Sequence, residues 1–113
     1  MPYALKTMDK EQIVRKRQDH SVINEKAILS SLSHPFVARL FQTMQDDRSI
    51  YLLMQFCQGG ELFNVIHQSR SGLLTGLPST SSKFYTSCVL SALCYLHERN
   101  VVYRDLKPEN VMM

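Results

Sequence analysis

The sequence predicts an α+β fold, in which a small sheet carrying one helix is followed by a helical segment. Two stretches have the alternation or the dense apolar content of strands, residues 3–8 (YALKTM) and residues 49–56 (SIYLLMQF). Two others repeat apolar residues every three or four positions, as helices do, namely residues 22–32 and 84–96. The pair Gly59-Gly60 interrupts the pattern between the sheet-forming part and the helical part.

The first strand and the helix after it each contain one charged residue of interest. Alternation in residues 3–8 places Ala4 and Lys6 on the same face of the strand. A helix is predicted between residues 10 and 33, because Glu25 shares one face with four apolar residues, Val22, Ile28, Leu29 and Leu32. A carboxylate in an apolar stripe is costly to bury unless a cation meets it. Glu25 therefore either lies at the edge of the stripe and reaches water, or pairs with a cation.

Two further strands are predicted to form a hairpin. Residues 36–45 and 49–56 are separated by residues 46–48 (DDR), which suit a tight turn. Residues 49–56 are nearly all apolar, so we expect this strand to lie in the centre of the sheet.

The second part of the chain is predicted to be helical. A short helix over residues 61–68 is followed by a Ser-, Gly- and Thr-rich surface loop over residues 69–82, in which Ser79 and Ser81 are candidate helix caps. A long helix then covers residues 82–100. Two adjacent apolar lines give it a broad buried face: Phe84, Cys88, Ala92 and Tyr95, and beside them Tyr85, Val89, Leu93 and Leu96.

Composition narrows the class of protein. The chain has 113 residues and a 44% hydrophobic content, which fits a globular protein. Its net charge of +3 is mild and does not argue for nucleic acid or an anionic membrane as a partner. Its three cysteines have no paired spacing, so we expect neither disulfides nor zinc, and a reducing location in the cytoplasm and also the nucleus. The sequence has no signal-peptide pattern and no apolar run that could cross a bilayer, and it predicts no particular oligomeric state.

The last residues of the chain place several charged and amide side chains on a short loop. Pro108 keeps this loop from continuing as a helix, and in an extended segment Asp105 and Lys107 project to the same side. The carboxylate could accept a proton from a hydroxyl, the ammonium could neutralise a transferred phosphoryl group, and the Asn110 carbonyl oxygen is a hard ligand of the kind that Mg²⁺ takes. These are the groups that phosphoryl transfer requires. The simpler alternative is a polar surface turn with incidental charge pairing.

Several short motifs follow one another along the chain: YALK, NEKAIL, HPF, GGELF and YRDLKPEN. The last matches the pattern H-R-D-x-x-x-x-N with tyrosine in the place of histidine. In this order the motifs resemble the catalytic domain of eukaryotic protein kinases. The tyrosine before Arg-Asp, with NEK, HPF and GGELF, resembles the basophilic serine/threonine AGC branch, which includes the cyclic-GMP- and cyclic-AMP-dependent kinases.

The resemblance implies part of a protein-kinase-like fold. Residues 1–56 would be a partial N-lobe, an incomplete antiparallel sheet with one helix. Residues 57–113 would hold the hinge and the first helices of the C-lobe, up to the catalytic loop. The implied activity is that of an ATP-dependent protein serine/threonine kinase (EC 2.7.11 type), which transfers phosphoryl from Mg-ATP to a Ser or Thr hydroxyl of a protein.

The resemblance also implies a nucleotide site on the N-terminal strands. Glu25 would be the carboxylate that meets Lys6, which would hold the ammonium towards the α- and β-phosphates of ATP. Ala4 would border the adenine, and Met54 would stand at the back of the pocket.

The segment after Met54 would be the hinge. Gln55 and Cys57 would bind adenine through backbone groups, which should tolerate glutamine where similar kinases often carry glutamate. Glu61 would contact the ribose and an arginine of the substrate, and Glu109 would likewise favour substrates with a basic sequence context.

In the final loop the resemblance implies catalytic roles. Asp105 would be the base that orients the substrate hydroxyl, Lys107 would steady the γ-phosphate, and Asn110 would hold Mg²⁺. Arg104 would pair with a phosphorylated activation loop.

Two kinase motifs are missing from this sequence, which affects the activity expected of this chain alone. No G-x-G-x-x-G loop precedes YALK and no D-F-G follows Asn110 within this sequence. We therefore expect a fragment of a larger kinase, inactive alone and prone to aggregation. The alternatives are a non-catalytic kinase-like module that binds nucleotide or regulates a kinase, and a plain α+β domain with no ligand.

Overall fold

A computed structural model describes residues 1–68 and 76–113 of the chain. These residues form two compact units, Met1–Phe56 and Cys57–Met113. The elements of the first unit are β1 (Tyr3–Asp9), α1 (Lys10–Arg15), α2 (Asp19–Ser31), β2 (Leu40–Gln45) and β3 (Ser49–Gln55). Those of the second unit are α3 (Leu62–His67), α4 (Ser79–Glu98) and a 3₁₀ helix, Pro108–Asn110.

The first unit is built on an antiparallel three-stranded sheet in the order β1-β3-β2, which confirms the predicted central place of the apolar strand. Leu52 in β3 is 1% exposed. The predicted hairpin turn is confirmed, since the Asp46 N–H donates to the Ser49 carbonyl (3.0 Å). The strand before the turn begins at Leu40 rather than at residue 36, because a turn at His34 intervenes, where the Val37 N–H donates to the His34 carbonyl (3.2 Å).

Two helices rather than one connect β1 to β2. Asp9 caps α1, its Oδ1 accepting from the Gln12 N–H (3.1 Å), and Ile13 packs into the core. Arg17 then takes a left-handed conformation (φ 52°), which ends the first helical run before α2 begins. The predicted apolar face of α2 is only partly covered, because the helix has no fully buried residue.

The second unit contains the predicted short and long helices. The long helix begins three residues earlier than expected, at Ser79, and its N-cap is Pro78, so neither Ser79 nor Ser81 caps it. In one of the two predicted apolar lines of this helix, Leu96 is buried and Tyr85, Val89 and Leu93 are half-buried. Phe84, in the other line, is exposed. Of the predicted loop, residues 69–75 lie outside the described residues. No helix within residues 1–68 or 76–113 is both long and apolar enough to span a bilayer.

Candidate functional site

Lys6 and Glu25 form an ion pair in the first unit. Lys6 lies on β1 and Glu25 on α2, and the Lys6 Nζ donates to the Glu25 Oε1 at 2.9 Å. The two side chains are 48% and 44% exposed, so the carboxylate is not buried in the apolar stripe. A half-exposed pair contributes little to stability. Its effect is to fix the direction of the lysine side chain.

The sheet register gathers the other predicted residues of this unit around that lysine. Ala4 lies opposite Met54, and Lys6 lies opposite Leu52, in the antiparallel pairing of β1 with β3. Residues directly opposite each other in an antiparallel pair project to the same face. Ala4, Lys6 and Met54 therefore share one face of the sheet.

Gln55 ends β3 and is held on one side by Arg39. The Gln55 N–H donates to the Arg39 carbonyl (2.8 Å), and the Arg39 N–H donates to the Gln55 side-chain Oε1 (3.3 Å). A bound base at this position would therefore have to use the backbone carbonyl of Gln55, because the N–H is already donated. Cys57, in the second unit, has a half-buried free thiol.

Asp105, Lys107 and Asn110 come together in the second unit. The 3₁₀ helix that starts at Pro108 turns the chain back, and the Asn110 N–H donates to the Lys107 carbonyl (2.9 Å). The Asn110 Nδ2 then donates both to the Asp105 carbonyl (2.9 Å) and to its carboxylate Oδ2 (3.0 Å). Lys107 Nζ lies 3.5 Å from the Asp105 Oδ1.

This cluster is open to solvent, with the Asp105 and Lys107 side chains 69% and 50% exposed. The two bonds from Nδ2 fix the Asn110 amide and leave its carbonyl oxygen outside them. The sequence predicted the three residues and the common side of Asp105 and Lys107. It did not predict the hydrogen bonds from Asn110 to Asp105, because these depend on the turn at Pro108.

The donors in this cluster fit a magnesium ion that is only partly held by protein. The described residues contain no group of three His, Cys, Asp or Glu side chains able to hold a metal. Mg²⁺ takes one or two protein oxygens and keeps water or phosphate oxygens as its other ligands. The Asn110 carbonyl oxygen and the Asp105 carboxylate are oxygens of that kind.

Glu61 lies in a short paired segment that sequence reasoning missed. Residues 59–62 run antiparallel to residues 111–113, and Glu61 is paired with Met112. The Leu62 N–H donates to the Val111 carbonyl (2.8 Å), directly after Asn110 in the chain. Glu61 and Glu109 are both half-buried. The only sequence signal for this pairing is the glycine pair before Glu61, which indicated a break and not a partner.

A separate cavity of about 280 Å³ lies between α2 and the hairpin of β2 and β3. It is lined mainly by apolar side chains, among them Val22, Met44 and Leu52. None of the predicted nucleotide-binding residues lines it. It therefore reflects loose packing of α2 on the sheet and is not the predicted site.

Comparison with known proteins gives a consistent result. The protein kinase domain family matches residues 1–113. The chain is 40% identical over 111 residues to a Drosophila melanogaster cGMP-dependent protein kinase, isozyme 2 forms cD5/T2, with 98% of this chain and 11% of the relative covered. It is 43% identical over 112 residues to the human cAMP-dependent protein kinase catalytic subunit PRKX, covering 98% of this chain and 30% of that protein.

A third relative is the cAMP-dependent protein kinase type 3 of Saccharomyces cerevisiae, which is 40% identical over 111 residues, with 98% of this chain and 27% of the relative covered. The chain thus spans between 11% and 30% of the length of these three relatives.

Proposed function

Because the chain belongs to the protein kinase domain family, and its relatives are cyclic-nucleotide-dependent kinases of the AGC branch, we propose that it carries part of the active site of an ATP-dependent serine/threonine protein kinase. Residues 1–56 are assigned to the N-lobe and residues 57–113 to the hinge and the start of the C-lobe. The observation that supports this best is the Asp105 cluster, in which Asn110 donates to the carboxylate and Lys107 Nζ lies 3.5 Å from it.

Binding of the nucleotide is assigned mainly to the first unit. Lys6, directed by Glu25 at 2.9 Å, holds the α- and β-phosphates. Ala4 and Met54 share the face of the sheet on which Lys6 lies, so they flank the adenine. The Gln55 carbonyl and a backbone group of Cys57 bind the edge of the base, and Glu61 binds the ribose.

Proton and charge handling are assigned to the second unit. Asp105 accepts a hydrogen bond from the substrate hydroxyl and orients it, while Asn110 fixes the carboxylate from the other side. Lys107 steadies the γ-phosphate, and Arg104 meets a phosphorylated activation loop. Mg²⁺, held by the Asn110 carbonyl oxygen, supplies neutralisation of phosphate charge.

The substrate is proposed to be a protein with a Ser or Thr in a basic sequence context. Glu61 and Glu109 are the two carboxylates that would meet its arginines. We also propose a reducing location, the cytoplasm and also the nucleus, since the described cysteines are free thiols.

The test is phosphoryl transfer to an arginine-containing serine peptide by the full-length protein that contains this chain. Removing a catalytic base costs roughly 10²–10⁴-fold, so Asp105→Asn should lower kcat by about that factor while leaving the Mg-ADP dissociation constant largely unchanged. The matched control is Asp47→Asn, an identical change on the exposed hairpin turn, which should leave both quantities unchanged.

Three outcomes separate the alternatives. Transfer that Asp105→Asn does not slow would contradict the role of Asp105. Nucleotide binding without transfer in the wild type would identify the non-catalytic module instead. Neither binding nor transfer would leave the chain as an α+β domain without this ligand.

A further inference from the structure

We propose that Gly59 is a positioning residue, which allows the segment carrying Glu61 to pair closely with the segment that follows Asn110. This inference rests on the proposed function, because Glu61 and Asn110 are assigned there to the ribose and to Mg²⁺. It adds a residue that has no ligand contact of its own and that holds two ligand-binding groups in one register.

The pairing is a short antiparallel ribbon of main-chain hydrogen bonds. The Gly59 N–H donates to the Met113 carbonyl (2.8 Å), and the Met113 N–H donates back to the Gly60 carbonyl (2.9 Å). The Leu62 N–H donates to the Val111 carbonyl (2.8 Å), and Glu61 is paired with Met112 between these bonds. All of these residues belong to the second unit, Cys57–Met113.

Gly59 is required here for space. A Cβ at this position would lie 2.8 Å from the Met113 Cβ, 2.9 Å from its carbonyl oxygen and 3.0 Å from its carbonyl carbon. The Cβ and the carbonyl carbon are bonded directly to the Met113 Cα, and the carbonyl oxygen is held by the Gly59 N–H (2.8 Å), so these atoms do not move aside as the end of a flexible side chain would. Any side chain at Gly59 must therefore push the two segments apart.

The neighbouring Gly60 is constrained by backbone conformation and not by space. It has a left-handed backbone (φ 74°), and a Cβ at Gly60 would meet no atom within 4 Å. Asparagine tolerates this conformation better than other residues with a side chain. Gly60→Asn is therefore a matched control that adds a side chain next to Gly59 without separating the segments.

Separating the two segments of the ribbon would displace residues of the proposed site. Val111, which accepts from Leu62, follows Asn110 in the chain, and Asn110 holds the Asp105 carboxylate (3.0 Å). Glu61 lies on the other segment of the same ribbon. A displacement at Gly59 would thus move the proposed ribose ligand and the proposed metal ligand relative to each other.

The experiment compares Gly59→Ala with Gly60→Asn in the full-length protein that contains this chain. Amide hydrogen exchange at Gly59, Leu62 and Met113 reports the ribbon, and steady-state kinetics with varied ATP and Mg²⁺ report the site. A displacement near 1 Å can cost as much as a hundredfold, so Gly59→Ala should speed exchange at these amides and raise the KM for ATP and the half-saturating Mg²⁺ concentration by about tenfold. Gly60→Asn should leave all three within about twofold, since asparagine tolerates the left-handed backbone and its side chain meets no atom of the other segment.

A second pair of variants covers the case in which Gly59→Ala does not fold. Met113→Pro removes the N–H that donates to the Gly60 carbonyl, whereas Met113→Leu keeps it. The proline variant should reproduce the faster exchange at the Gly59 and Leu62 amides and the changes in KM and Mg²⁺ requirement, and the leucine variant should not.

Two results would overturn the inference. Faster exchange at the ribbon with unchanged KM and Mg²⁺ requirement would make Gly59 a purely structural residue, and unchanged exchange would mean that the ribbon does not need glycine. Failure of the proposed function gives a different result, because the wild type would then neither bind Mg-ADP nor transfer phosphoryl, whatever the exchange data show.

Discussion

The Lys6–Glu25 pair shows what a half-exposed ion pair can contribute. With side chains 48% and 44% exposed and a 2.9 Å contact, the pair gains little Coulomb energy that water does not screen. The pair fixes the direction of a flexible lysine side chain. Because the ammonium remains partly hydrated, the desolvation cost is smaller than for a buried pair. Direction, rather than stability, is what the proposed role of Lys6 in binding phosphate requires.

Asp46 is the residue whose hydrogen bonds predict a pH-dependent stability. The Tyr51 hydroxyl donates to its Oδ2 (2.7 Å), and the N–H groups of Arg48 and Ser49 donate to its Oδ1 (2.8 and 2.7 Å). These bonds hold the pKa of Asp46 below its usual value of 3.8. Because the pKa is lower in the folded chain than in the unfolded chain, the carboxylate stabilises the hairpin above pH 3.8, and this contribution is lost as the pH falls through the lower, folded pKa.

We therefore expect Asp46→Asn to flatten the pH dependence of hairpin stability below pH 3.8. The measurement is protection of the Asp46 amide, which donates to the Ser49 carbonyl, corrected at each pH for the intrinsic exchange rate. Asp47→Asn is the control, because Asp47 is the adjacent exposed carboxylate of the same turn. An equal loss of protection in wild type and Asp46→Asn as the pH falls would contradict the prediction.

The strands were predictable because their pattern is local. Alternation in β1 and the apolar density of β3 are properties of consecutive residues, and the turn between β2 and β3 has residue types that favour turns. The break between α1 and α2 was not predictable in the same way. Arg17 takes the left-handed conformation (φ 52°) although it is not a glycine. The turn is closed by backbone bonds, because the Arg17 N–H donates to the Val14 carbonyl (3.1 Å) and the Gln18 N–H donates to the Ile13 carbonyl (2.9 Å).

The candidate site was predictable as a set of residues but not as an arrangement. Asp105, Lys107 and Asn110 are close in the chain, so their types and spacing were informative. The ribbon between residues 59–62 and 111–113 joins segments that are distant in the sequence, and no local pattern encodes which of them pair. The sequence therefore showed a glycine at position 59 but not why that position needs one.

At the scale of the elements, β3 is where stability depends most on one side chain. Leu52 is 1% exposed in the central strand, and replacing it with alanine removes buried methyl groups and leaves a cavity. We expect Leu52→Ala to lower the free energy of unfolding by about 2–5 kcal/mol in the full-length protein that contains this chain, measured by urea denaturation. Leu53→Ala, on the other face of the strand and half-buried, should cost clearly less. Equal costs at the two positions would contradict the central place of Leu52 in the core.

At the scale of the whole molecule, many large apolar side chains of the described residues remain in contact with water. Among the described residues the buried apolar side chains are Ile13, Leu52, Leu62 and Leu96, and Leu52 is the one that is buried completely. Large apolar side chains are exposed in both units, for example Leu5 at 54% and Phe84 at 62%.

These exposed apolar side chains predict that the 113-residue chain, expressed alone, associates at about micromolar concentrations and lacks a cooperative thermal transition. β1 is the most exposed route to association, because β3 is its only strand neighbour in the described sheet and Leu5 projects from it into solvent. Leu5→Lys should therefore reduce association, measured by sedimentation velocity across a concentration series, more than Thr7→Lys does. Thr7→Lys adds the same charge on the same strand face without removing an apolar group, so the difference between the two variants isolates the apolar contribution. A wild-type chain that stays monomeric across the series and unfolds in one sharp transition would contradict the prediction, since so few buried side chains would then suffice for a stable fold.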